Sequence, residues 1–76
     1  MDRRFLEHSL ESWKKMLENS RQLIRMYNTM LRKVRATGDI WRIEHYTEWR
    51  ANEYKNRAMA QKYIRYYTRA LEKCRG

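Results

Sequence analysis

The chain has 76 residues and a formal net charge of +9, with 18 lysines and arginines against 9 acids. This length allows a single domain over residues 1–76, the lone cysteine excludes an internal disulfide, and no apolar run approaches the roughly 20 residues of a transmembrane helix. The charge predicts an acidic partner, which can be an acidic protein, a nucleic acid or an anionic membrane.

The first predicted element is one long helix. The chain contains no proline and only one internal glycine, which favours an all-α fold. Apolar residues recur in alternating steps of four and three, the spacing of a helical heptad seam. This seam consists of Leu6, Leu10, Trp13, Leu17, Ser20, Ile24, Tyr27, Leu31 and Val34. We therefore predict a helix over about residues 3–36, near 50 Å long at 1.5 Å per residue.

The segment Thr37-Gly38-Asp39 predicts a turn after this helix. Glycine suits the left-handed position that follows a helix, and aspartate suits the N-cap of the next one.

The second half of the chain predicts a broken helix. Its first part places Ile40, Ile43, Thr47, Ala51, Tyr54 and Ala58 on one face. Its last part places Ala60, Ile64, Tyr67, Leu71 and Cys74 on another face, which points more than about 90° away at 100° per residue. A break near residues 56–60 would turn both faces toward one core and give helices over about 40–56 and 60–75. We predict a three-helix bundle, and the alternative is a two-helix hairpin that dimerises into a four-helix bundle.

Two rows of basic residues follow these helices. On the first helix no acid lies between Glu18 and Asp39, and the cations recur at helical steps with Asn28 between them. This row consists of Arg21, Arg25, Arg32 and Arg35, and a second basic ridge consists of Lys62, Arg65, Arg69 and Lys73. Arginine presents a planar fork that suits carboxylate and phosphate groups, so we interpret the first row as a docking element.

The segment SRQLIRMYNTMLRKVR, residues 20–35, resembles the first helix of the LYR-motif (Complex 1 LYR-like) family of small mitochondrial proteins. That family has a Leu-Tyr-Arg triplet followed by Leu-Arg and further basic residues. Residues 49–57 resemble its second element, an aromatic residue flanked by basic ones, with Tyr54 at the aromatic position. Met26 and Asn28 depart from the triplet, and the usual Asp-Pro before the third helix is missing. The resemblance divides the chain into an N-terminal helix extension, residues 1–19, and a core, residues 20–75.

The resemblance implies a three-helix, non-catalytic accessory subunit or assembly factor on the matrix side of mitochondria. Its complex would belong to the respiratory chain, ATP synthase or the mitoribosome. The implied acidic partner is the acyl carrier protein, whose phosphopantetheine-acyl chain enters the three-helix core, while the chain itself binds no cofactor directly. The implied partner-binding residues are Arg21, Arg25, Tyr27, Arg32, Arg35, Arg50, Tyr54 and Lys55. Flexible methionines could line the acyl tunnel, namely Met16, Met26, Met30 and Met59.

Other function classes follow from the residues without the resemblance. The arginine spacing suits phosphates and the tyrosines suit base stacking, so a small cytoplasmic RNA- or DNA-binding protein is the alternative, and rRNA contact fits a ribosomal subunit. A membrane-surface helix is disfavoured by the mean hydropathy of −1.11. His8 and His45 have no ligand partners at metal-site spacing, so we predict no metal site. No glycine-rich phosphate loop is present, and we predict no enzyme activity.

Overall fold

Residues 2–74, which the structure describes, form an antiparallel hairpin of two long helices in this computed structural model. Helix α1 spans Arg3–Thr37 and helix α2 spans Ile40–Lys73. The hairpin is a rod with Cα extents of 59 × 14 × 13 Å. The all-α class is confirmed, but the predicted three-helix bundle is wrong, and the two-helix hairpin is the fold. The predicted helix end at residue 75 lies outside the described residues.

The turn between the helices is the predicted one, at Thr37-Gly38-Asp39. Gly38 adopts a left-handed conformation with φ of 71°, and its N–H donates to the carbonyl oxygen of Val34 at 3.1 Å. The Asp39 carboxylate accepts from the N–H of Arg42 at 3.1 Å and so caps α2. The first helix is capped in the same way, because the Asp2 side chain accepts from the N–H of Arg4. Each helix therefore begins at an aspartate N-cap.

The predicted heptad seam of α1 is its inward face. All nine seam positions are buried or half-buried, and five of them are almost inaccessible to solvent: Leu6, Ser20, Ile24, Leu31 and Val34. Aromatic rings extend the packing across to α2. Trp13 stacks on Tyr63 with ring centroids 4.6 Å apart, and Phe5 meets Tyr67 edge-on at 6.5 Å. The core is therefore one narrow line of contacts between two helices.

Helix α2 is continuous through residues 56–60, where a break was predicted. The apolar stripe that suggested the break, from Thr47 through Ala51 and Tyr54 to Ala58, is exposed to solvent. The inward face runs instead through an unbroken heptad seam whose nine positions are buried or half-buried: Ile43, Tyr46, Arg50, Glu53, Arg57, Ala60, Ile64, Tyr67 and Leu71.

Three of these α2 seam positions are charged, which is why apolar periodicity misses the seam. Long side chains such as arginine can lay their methylene stems on apolar neighbours and keep the charged head in water. The Glu53 carboxylate also has a hydrogen-bond partner on its own helix, because its two oxygens accept from the Asn56 side-chain amide at 3.3 and 3.4 Å. The helix thus keeps one face toward α1 without bending.

Candidate docking surface

The first basic row forms one side of the hairpin, which we call the basic face. Its residues come directly after seam positions 20, 24, 27, 31 and 34, so they lie about 100° around α1 from the contact with α2. The four arginines of the row, Arg21, Arg25, Arg32 and Arg35, are exposed. The structure thus brings them into one open line.

A hydrogen bond between the helices joins this row to α2. The Arg50 guanidinium donates to the Asn28 side-chain oxygen at 2.8 Å, and both residues are half-buried. Asn28 sits between Arg25 and Arg32 in the row. The bond therefore holds a fifth guanidinium at the same side of the hairpin. Sequence reasoning placed Asn28 in the row but did not predict its partner, because the pairing depends on the register of α2.

Tyr54 lies on the α2 edge of the basic face and is flanked by two cations. Its ring centroid is 6.0 Å from the Arg50 guanidinium carbon and 5.0 Å from that of Arg57. These are cation–π distances, and the ring is 38% exposed. Arg57 was not among the predicted site residues. Its spacing of three residues from Tyr54 on one helix was the signal that could have identified it.

Two predicted partner-binding residues lie away from this face. Tyr27 is half-buried in the seam, where its ring centroid lies 6.3 Å from those of both Tyr46 and Trp49. Lys55 is exposed beside Glu48 and Trp49 in a shallow groove on the outer side of α2. The structure therefore gathers six of the eight predicted partner-binding residues and places these two elsewhere.

The second basic ridge lies on the outer surface of α2, away from α1. Its four cations, Lys62, Arg65, Arg69 and Lys73, are exposed and line an open groove of about 540 Å³ together with Tyr66 and Ala70. Tyr66 is 51% exposed. Sequence reasoning found the cations but missed the tyrosine, which lies between Lys62 and Arg69 in the helical repeat.

The cations of both surfaces have no acidic partner within the hairpin. Across residues 2–74, ion pairs join Arg3 to Glu7 at 2.9 Å and Arg42 to Asp39 at 3.4 Å, and neither pair involves the basic face or the ridge. The surplus charge is therefore available to another molecule.

Three of the four methionines assigned to an acyl tunnel lie on the surface of the hairpin. Met16, Met26 and Met59 are each more than 40% exposed, and Met30 is half-buried. Within residues 2–74, no helix has an apolar stretch long enough to cross a membrane. Over the same residues, no three potential metal ligands come together.

Comparison of the chain with protein-family models, curated proteins and solved structures gives no match. The resemblance to the LYR-motif family thus stays a prediction from residues 20–35 and 49–57. The described part of the chain has two helices where that resemblance implies three.

Proposed function

We propose that this chain is a non-catalytic docking subunit that binds an acidic protein through the basic face. The observation that carries the proposal is the line of four exposed arginines on α1, none of them in an ion pair among residues 2–74. A surface with this much uncompensated charge favours association with an anionic partner.

The energetics of such a surface favour orientation and rate over raw affinity. A single exposed ion pair contributes only about 0–1 kcal/mol, but several complementary charges together steer the encounter and set its register. Two features add a more rigid anchor at the edge of the face. The Arg50 guanidinium is already held by Asn28, and Tyr54 offers an exposed ring between two cations. Tyrosine and arginine are among the residues that are enriched in interface hot spots.

The LYR resemblance supplies a specific acidic partner. Under it, the chain would be a mitochondrial accessory subunit or assembly factor of a respiratory-chain complex, ATP synthase or the mitoribosome, and it would bind the acyl carrier protein. A two-helix rod has one line of core contacts between its helices, so the structure favours a contact through surface charge over an acyl chain inserted into a bundle. The proposal therefore predicts similar affinity for carrier protein with and without its acyl group.

Charge reversal tests the docking surface. We expect the triple variant Arg21→Glu, Arg25→Glu, Arg32→Glu to weaken binding to acyl carrier protein by at least about tenfold, because up to three attractive contacts become repulsive. Fluorescence anisotropy at fixed ionic strength measures the Kd. The matched control reverses three exposed cations on other sides of α1, Arg4, Lys15 and Lys33. Equal weakening in the control would mean that only net charge matters and would contradict a defined face.

A second candidate function, RNA binding, is favoured by the groove on α2. Four exposed cations beside an exposed tyrosine match the combination of phosphate contacts and base stacking that binds single strands. The same proteins are titrated with a single-stranded RNA oligonucleotide at several salt concentrations. Tighter binding to RNA than to carrier protein, insensitive to the Arg21/Arg25/Arg32 reversal, would replace the docking proposal with this one.

A further inference from the structure

One side of the hairpin, opposite the basic face, carries no charged residue over most of its length, and its two cations, Lys33 and Arg42, lie at the turn end. The residues directly before all the other seam positions form this side, and we call these residues the uncharged face. On α1 these residues are Phe5, Ser9, Ser12, Met16, Asn19, Leu23, Met26 and Met30. On α2 they are His45, Trp49, Asn52, Asn56, Met59, Tyr63, Tyr66 and Ala70. In an antiparallel hairpin the residues that precede the two seams lie on the same side, because the helices run in opposite directions.

The uncharged face stands out from the chain as a whole, in which 36% of residues are charged. The residues that follow the α1 seam positions make the contrast clear, since eight of these nine are charged: Glu7, Glu11, Lys14, Glu18, Arg21, Arg25, Arg32 and Arg35, with Asn28 the exception. A helix side that faces water in the functional state has no physical reason to exclude charge. The uncharged face therefore points to a covered surface.

Large apolar side chains are concentrated on this face. Of the nine exposed large hydrophobic residues in the described chain, six lie on it, each between 41% and 52% exposed: Phe5, Met16, Met26, Trp49, Met59 and Tyr66. Methionine and aromatic residues are typical of helix-packing interfaces, where they fill irregular gaps.

The surface area of the hairpin indicates that it lacks a packing partner. Its accessible surface is 6045 Å², whereas a compact monomer of 9.6 kDa exposes about 5,100 Å². Only six of the described residues are buried, five apolar ones and Ser20. Two helices that contact along one seam leave the rest of each helix open, and a four-helix bundle is the common way to cover it.

We propose that a second copy of this chain packs on the uncharged face and completes a four-helix bundle. The 59 × 14 Å side of the hairpin has a projected area of about 800 Å², which is large enough for the roughly 800 Å² of accessible surface that each partner buries in a standard stable interface. The uncharged face itself would bury no charge, the exposed Lys33 and Arg42 would lie beyond it at the turn end, and the basic faces of both copies would stay on the outside. The serine and asparagine side chains on the face make it too polar for the interior of a lipid layer, so a protein surface fits it better than a membrane.

Half of the uncharged face is complementary to itself in side-chain size. The stacking of Trp13 on Tyr63 sets which positions of α1 and α2 lie side by side. At four of the eight levels a large side chain on one helix is beside a small or polar one on the other: Phe5 with Ala70, Ser9 with Tyr66, Ser12 with Tyr63, and Leu23 with Asn52. At the other four levels side chains of similar size lie side by side: Met16 with Met59, Asn19 with Asn56, Met26 with Trp49, and Met30 with His45. A two-fold axis parallel to the helices lays α1 of one copy over α2 of the other, so large side chains meet small ones at the first four levels. This half of the face can therefore accept a second copy in that arrangement.

The mass of the protein in solution tests the proposal, which does not depend on the docking of an acidic partner. We expect light scattering coupled to size-exclusion chromatography to give twice 9.6 kDa for the full chain at about 100 µM. The variant Met26→Glu, Met59→Glu should weaken the dimer by at least about a hundredfold, because four carboxylates would have to be desolvated. Both methionines are exposed in the single hairpin, so it can accept the change.

The matched control is Thr29→Glu, Ala51→Glu, which adds the same charge at exposed positions outside the uncharged face and should stay dimeric. The unaltered chain gives a second readout, since the Tm of a dimer rises with protein concentration. A mass of 9.6 kDa at all concentrations, folded or unfolded, would overturn the proposal and assign the face to a different protein. A dimer that survives Met26→Glu, Met59→Glu would overturn it as well. Binding to acyl carrier protein, measured separately, tests the basic face alone.

Discussion

The smallest side chain of each seam is among the most deeply buried residues of the hairpin. Ser20 on α1 is 1% exposed, and Ala60 on α2 is completely buried. These are the smallest side chains on their seams, and larger ones at either position would push the helices apart. Protein interiors are packed so closely that adding or removing even one methylene group changes stability.

This packing predicts the outcome of enlarging Ala60. We expect Ala60→Leu to lower the free energy of unfolding by about 1–3 kcal/mol, because three extra carbons must fit where no space exists. Thermal or urea denaturation followed by circular dichroism measures the loss. Ala58→Leu is the matched control, since Ala58 is exposed on the same helix and should change stability by less than about 0.5 kcal/mol. Equal effects at both positions would show that Ala60 does not lie between the helices.

At the scale of elements, α2 is the helix whose structure differs most from the prediction. Its apolar residues suggest two faces and a break, yet the helix is continuous, and its seam passes through Arg50, Glu53 and Arg57. The hydrogen bond from Arg50 to Asn28 shows how such a residue can face the partner helix and still satisfy its polar group. A polar stretch in a seam buries less apolar area than an apolar stretch, so we expect this part of α2 to contribute less to stability than its apolar seam positions.

Helix continuity predicts the effect of a glycine at Ala58. In the interior of an exposed helix, Ala58→Gly should lower the free energy of unfolding by about 1 kcal/mol, because glycine loses more backbone freedom on folding. If residues 56–60 formed a loop, the same change would be nearly neutral. Denaturation by urea distinguishes the two results. Ala36→Gly, one residue before the end of α1, is the control, and we expect a smaller loss there because helix ends fray.

At the scale of the whole molecule, the hairpin has two sides of opposite character. The basic face and the ridge on α2 hold uncompensated cations, and the uncharged face holds exposed methionine and aromatic side chains. Such a division lets one short chain contact two kinds of surface at once. One contact would depend on charge, and the other would depend on burial of apolar area.

The charge imbalance predicts how stability responds to salt. With a net charge of +9 and two ion pairs among residues 2–74, repulsion between like charges outweighs attraction within the hairpin. Raising NaCl from about 0.02 M to about 0.2 M shortens the Debye length from roughly 20 Å to below 10 Å and should raise the Tm. Thermal unfolding at several salt concentrations, at one fixed protein concentration, measures this. A Tm that falls with salt would mean that attractive ion pairs dominate.

The amino-acid sequence by itself determined the all-α class, the turn at Gly38, the inward face of α1 and the exposure of both basic rows. These features depend on local rules: the absence of proline, one glycine that accepts a positive φ, and apolar residues at heptad spacing. Only the tertiary structure decided which face of α2 turns inward, that Arg50 pairs with Asn28, and that the uncharged face is left open. Apolar periodicity shows which residues share a face of one helix, but which face becomes buried depends on how two helices pack. The face that a partner covers depends on the register of both.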